Sequence, residues 1–108
     1  TSIAAITTNT SLAITQSGQC VTNRAAGATA VAALPSGTLG VRFLFVRVTA
    51  QAFRVDPQAG EAIFYSGGTM SNGEYLELGS VAARLEVVWD GSNWGATLEH
   101  GTLTEETP

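Results

Sequence analysis

The apolar residues of this chain come in short runs of β-branched, aliphatic and aromatic side chains, each cut off after a few positions by glycine, proline, asparagine or aspartate. That grouping limits the possible folds more than any other feature. Turn signals stand at Gly18, Gly27, Leu34-Pro35-Ser36-Gly37, Asp56-Pro57, Gly67-Gly68, Asn72-Gly73 and Asp90-Gly91. Such residues punctuate a chain because they supply positive φ, a fixed φ, or a side chain that bonds its own backbone. No window carries the 3.6-residue apolar period of a capped helix. The intervening runs predict strands over 3–7, 11–15, 19–23, 28–34, 41–48, 52–56, 61–66, 74–78, 83–89 and 93–98. Short strands at near-regular spacing point to an all-β fold, an antiparallel β-sandwich or a jelly-roll or barrel-like domain.

Two runs show how the strands are used. In 41–48, Phe43 and Phe45 share one face while Leu44, Val46 and Val48 share the other, because strand side chains alternate. Apolar residues on both faces predict a strand covered on both sides, inside a sandwich or between subunits. In 83–89, Ala83, Leu85, Val87 and Trp89 face one way and Arg84, Glu86 and Val88 the other. That is an antiparallel strand with one wetter side, on which Arg84 and Glu86 are placed to pair. Trp89 and Trp94 bracket the loop Asp90-Gly91-Ser92-Asn93 and are set to meet as a cross-strand pair.

At 108 residues the chain has room for one domain, and at 44% hydrophobic it can build a core. Aromatic residues are only 7% of it, and small side chains bury little area at roughly 25 cal/mol per Å². A thin core in a short chain predicts help from other copies. The net charge is −4, and the five basic residues are all arginines, scattered at 24, 42, 47, 54 and 84. No basic run could neutralise several phosphates or dock on an anionic bilayer, so neither nucleic acid nor membrane is expected as a partner. No stretch approaches the ~18 apolar residues of a membrane span, and the start of the sequence carries no basic, signal-like segment.

Candidates for chemistry are few. Cys20 is the only cysteine, which rules out an intramolecular disulfide and reads as a small strand residue. His100 is the only histidine, with no framework for a nucleophile and its base. Asp56 and Asp90 stand in turns, where aspartate is favoured for backbone reasons. Glu61, Glu74, Glu77, Glu86 and Glu99 offer carboxylates, but no spacing among them selects an acid–base pair. Zinc lacks ligands, and Asp90-Gly91-Ser92-Asn93 departs from a calcium loop. No catalytic residue, metal or cofactor is therefore expected. A sugar platform is the remaining binding chemistry, with Tyr65, Tyr75 and Trp94 as aromatic parts beside Asn93 and Asp90. The plainer reading of the same rings is packing with a satisfied polar tip.

One ordered series bears on function: Ser17-Gly18, Val21-Thr22-Asn23, Ala26-Gly27-Ala28, Leu34-Pro35, Gly40-Val41-Arg42-Phe43, Phe45, Val55-Asp56-Pro57 and Glu61-Ala62-Ile63. It continues through Gly79-Ser80 and Leu85-Glu86-Val87-Val88-Trp89-Asp90-Gly91-Ser92-Asn93-Trp94. Over residues 12–102 this resembles the small β-domains of tailed-bacteriophage virion proteins, found in head-decoration (cement) proteins and in head or tail fibres. The resemblance implies a homotrimer fixed to the virion, made in the host cytoplasm, with no catalytic residues. The expectation is a capsid decoration protein that stabilises the head shell against the major capsid protein. The alternative is a receptor- or glycan-binding fibre module. A free-standing chain of this length fits the first better. Residues 1–16 are expected as a strand or arm that reaches a neighbour, 17–102 as the β-domain and 103–108 as an acidic tail. Val41, Phe43, Leu44, Phe45 and Val46 are the candidates for the subunit interface.

Overall fold

Leu76-Glu77-Leu78 and Phe53-Arg54-Val55-Asp56 alternate apolar and polar residues, and in the folded chain the apolar set of each turns inward. The computed structural model describes residues 3–6, 9–24, 26–65, 68–69 and 72–105. Its strands are β1 (Ile3–Ala5), β2 (Thr10–Ser11), β3 (Cys20–Thr22), β4 (Ala30–Ala33), β5 (Arg42–Val46) and β6 (Phe53–Asp56). They continue as β7 (Ile63–Tyr65), β8 (Gly68–Thr69), β9 (Leu76–Leu78), β10 (Arg84–Trp89), β11 (Trp94–His100) and β12 (Leu103–Glu105). A 3₁₀ turn, Ile14–Gln16, follows β2.

The strands form two sheets. Sheet A has seven, in the order β1-β3-β5-β10-β11-β7-β8, and sheet B has five, β12-β9-β6-β4-β2. The expected all-β, sandwich-like architecture is present. The expectation of antiparallel sheets is corrected, because both sheets are mixed. From β1 to β6 the chain crosses to the other sheet at every step, so each strand lies parallel to the one two places earlier. β1, β3 and β5 are parallel neighbours in sheet A, and β2, β4 and β6 in sheet B. A parallel pair needs a long crossover, and here a strand of the opposite sheet serves as that crossover. The later strands close the sandwich with antiparallel pairs: β10 with β5 and β11, and β9 with β6 and β12.

The core lies between the sheets. Phe43, Phe45, Leu85, Val87, Ile63 and Trp94 face inward from sheet A, and Phe53, Val55, Leu76 and Leu78 from sheet B. Phe45 meets Phe53 edge to face across the gap, with ring centroids 5.9 Å apart. Ala30 and Ala32 of β4, both fully buried, add small side chains to the same core. Four of the eight aromatics, Phe43, Phe45, Phe53 and Trp94, are buried together in that interior. The expectation that the strands would need other copies to cover their inner faces is corrected, since the chain fills that space itself.

Two terminal assignments are corrected on the same ground. Of residues 1–16, the described stretches 3–6 and 9–16 belong to the sandwich rather than to an arm reaching a neighbour. β1 pairs with β3, β2 pairs with β4, and Ile6 and Leu12 are each 5% exposed within the core. The tail expected from 103 begins as β12, which pairs with β9 through Leu103↔Leu78 and Glu105↔Leu76. Residues 106–108 lie outside the described residues.

Candidate functional site

The tryptophan hairpin organises one end of the molecule. Trp89 and Trp94 are register partners, as their spacing predicts, with ring centroids 5.5 Å apart at 65°. The loop between them is held by Asp90, whose Oδ1 accepts from the N–H of Ser92 at 2.9 Å and of Asn93 at 2.8 Å. Those N–H groups, Asn93 first and then Ser92, hold the Asp90 carboxyl below the usual aspartate range. Trp94 is wholly buried, and its Nε1–H donates to Glu61 Oε1 at 3.1 Å. The other oxygen of that carboxylate accepts from Gly37 N–H at 2.8 Å. Gly37 also has to lack a side chain, because a Cβ there would sit 2.2 Å from the indole of Trp89.

Polar side chains tie down the opposite end in the same way. Asn23 is fully buried; its Oδ1 accepts from Val48 N–H at 2.8 Å and its Nδ2 donates to Gln51 O at 3.0 Å. The Arg47 guanidinium donates to the carbonyls of Thr49, Leu78 and Ala50 at 3.1, 2.8 and 2.7 Å, which joins sheet A to β9 of sheet B. These loops run between sheets and lack ladder partners, so side chains satisfy their backbone groups.

Among the described residues, Glu61, Glu77 and Glu86 go to separate partners. Glu61 braces the hairpin, Glu77 pairs with Arg54 at 2.9 Å, and Glu86 pairs with Arg42 rather than with Arg84. Arg42 lies diagonally across the β5–β10 ladder from Glu86, whereas Arg84 stands opposite Val46 and His100. Among the described residues no group of three or more histidine, cysteine, aspartate or glutamate side chains could hold a metal. No helix among them is long and apolar enough to cross a membrane. Cys20 is half-buried on β3, with its side chain on the outer face of sheet A.

The three aromatic candidates for a sugar platform lie apart, which corrects that grouping. Trp94 is 0% exposed and presents no ring face to solvent. Tyr75 lies beside sheet B with the Arg54 guanidinium 4.4 Å from its ring centroid. Tyr65 lines a cleft at the other edge. Among the interface candidates, Val41, Phe43 and Phe45 are 5%, 1% and 0% exposed within one chain, so they have no surface left for a partner. Leu44 is half-buried on the outer face, and Val46 beside it keeps only 8%. Among the described residues, the large apolar side chains that reach solvent are Ile14, Leu39, Phe64, Val81 and Leu98, none of which the sequence had marked.

No protein-family model matches the chain, and no curated protein matches it.

A cleft opens at Tyr65. It encloses about 440 Å³ and is lined by Tyr65, Ala96, Thr97, Leu98 and Leu103. Tyr65, Ala96 and Leu98 reach it from the inner face of sheet A and Leu103 from β12. No pair of ionisable side chains meets in it. Its chemistry is that of apolar contact with a few hydroxyls.

Proposed function

We propose that this chain is a non-enzymatic structural protein of a tailed-bacteriophage virion, a capsid decoration protein that assembles as a homotrimer and stabilises the head shell against the major capsid protein. The observation that carries the reading is the use made of the polar side chains. Glu61, Asn23 and Arg47 brace loops, Glu77 and Glu86 pair with arginines, and the cleft is lined without a converging pair of ionisable groups. A chain arranged in this way is fitted to hold a shape. Support also comes from the ordered series of residues that resembles phage virion β-domains. Because the inner faces are filled, the trimer contact in this reading is made by outer surfaces.

Native mass measured by light scattering, followed by co-sedimentation with expanded capsids, tests the proposal. A trimer that sediments with capsids supports it. A chain that stays monomeric and leaves capsids bare, or one that gives glycan-array signals, rejects it.

A further inference from the structure

Asn72-Gly73 lies in the connection between β8 and β9, and Asn72 is exposed. Among the chain's asparagines it alone precedes glycine. The backbone nitrogen after an asparagine can attack the side-chain amide carbon, and a side chain on that next residue hinders the approach. Gly73 has none, and it sits at φ +79°, which glycine adopts without steric cost. Its N–H donates to Glu61 O at 2.8 Å. The nitrogen must give up that same proton before it can attack, so the hydrogen bond stands against the reaction. Glu61 is also the residue whose carboxylate braces Trp94 and Gly37. Asp90-Gly91 is the comparable aspartate site, but there an ionised carboxylate accepts from Ser92 and Asn93 N–H and is a poor target for attack.

We infer that Asn72 is a self-modification site, at which Gly73 N closes on Asn72 Cγ, and that the Gly73–Glu61 hydrogen bond gates the step. The N–Cγ bond forms, the Cγ–Nδ2 bond breaks, and the side-chain nitrogen leaves as ammonia with the proton given up by Gly73. The succinimide that results takes up one water. Cleavage of its N–Cγ bond gives aspartate, and cleavage of the original peptide bond gives isoaspartate. Either product adds a negative charge beside Glu74 to a chain already at −4. The isoaspartate backbone runs through Cβ and Cγ and is one atom longer. Gly73 N–H then cannot keep its bond to Glu61 O while β9 stays in its ladder, so the change reaches the residue that braces the tryptophan hairpin. This inference stands on local geometry and does not depend on the virion reading.

The test ages the full chain in mildly alkaline buffer, folded and in guanidinium chloride, and reads each asparagine by peptide mapping with mass spectrometry. Hydrogen exchange on the folded chain gives the protection of Gly73 N–H. In the unfolded chain Asn72 should convert faster than Asn9, Asn23 or Asn93. Folding should slow Asn72 by the factor that slows Gly73 exchange, about tenfold or more, because both need the same local opening. Asn72→Gln, which would have to close a larger ring, should stop the conversion. Asn72→Asp carries the charge without the longer backbone and should melt like the native chain. The isoaspartate form, labelled by isoaspartyl methyltransferase and refolded, should lose Gly73 protection and melt lower. An unprotected Gly73 amide, faster conversion at another asparagine, or a folded rate more than about tenfold from the exchange ratio in either direction overturns the inference. So does an isoaspartate form with native protection and melting.

Discussion

Replacing Glu61 with alanine should cost the fold far more than a half-buried carboxylate usually does. In the native chain its two oxygens accept from Trp94 Nε1–H at 3.1 Å and from Gly37 N–H at 2.8 Å. Trp94 is fully buried, so without Glu61 its N–H loses the acceptor it has in the fold. A buried donor left unpaired costs about 1–3 kcal/mol, and hydrogen bonds to charged acceptors contribute about 1.5–3 kcal/mol each. The Gly37 N–H lies nearer solvent and recovers part of its loss, which gives a total of roughly 2–4 kcal/mol. For a domain of this size that is a fall of roughly 10–20 °C in Tm. Urea unfolding followed by tryptophan fluorescence reads the effect. Trp94→Phe removes the donor, so the Glu61→Ala and Trp94→Phe costs should fail to add by about 1–2 kcal/mol in a double-mutant cycle. A Glu61→Ala loss below about 0.5 kcal/mol, or strict additivity with Trp94→Phe, would refute the strut.

Other perturbations have equally definite outcomes. Gly101 has φ +91°, and a Cβ there would lie 2.7 Å from that of Ala83, so Gly101→Ala should cost about 2–4 kcal/mol in urea unfolding. Ala82 is the converse case, a non-glycine residue at φ 75°; Ala82→Gly should be neutral or stabilising by up to about 1 kcal/mol, since relief of strain outweighs the added chain entropy. Phe45→Asp places a charge in a site that is 0% exposed and should leave the chain unfolded by circular dichroism, at a cost of at least several kcal/mol. The Asp90 carboxyl titrates below the ordinary aspartate value when folded, so its contribution to stability is present above that value and is lost as pH falls through the folded midpoint. Carbon-detected NMR titration should find the midpoint lowered, and Asp90→Asn should remove that acid-dependent step. Deleting residues 1–6 removes β1 and Ile6 and should destabilise the whole domain; a deletion that leaves melting unchanged would restore the arm.

Strand positions were legible because alternation is a local signal. Eight of the ten predicted runs contain an observed strand, β11 continues two residues past its predicted end, the run 11–15 meets β2 only at Ser11 before the turn Ile14–Gln16, and the Trp89–Trp94 hairpin was readable from its loop. Two short strands escaped. β8 is a two-residue strand at Gly68-Thr69, residue types that carry no strand signal. β12 contains Glu105 and stood in a segment that reads as solvated. The parallel pairing of the first six strands had no local signature either. Cys20 and Leu44 are register partners, yet β4 of the opposite sheet lies between them in sequence. Glycine-marked segments that resemble hairpin turns are in fact crossings from sheet to sheet.

The site residues were less legible, for a related reason. Glu61 is one of several glutamates in sequence, and only folding brings it to Gly37 and Trp94. Arg47 gives no hint that it bridges three carbonyls. The rings chosen as an exposed platform were chosen by residue type, and burial then separated them. The run 41–48 does have two apolar faces, as read. Its inner face turned out to be covered by the chain's own sheet B, which removes Phe43 and Phe45 from any role between subunits.

Sedimentation equilibrium across a dilution series, with circular dichroism on the same samples, tests most directly the claim that a self-closed sandwich assembles through its outer surface. The expected result is a trimer at high concentration that separates on dilution into protomers with unchanged strand signal. A chain that is monomeric at every concentration contradicts the assembly, and one that loses its fold as the trimer separates contradicts the closed core.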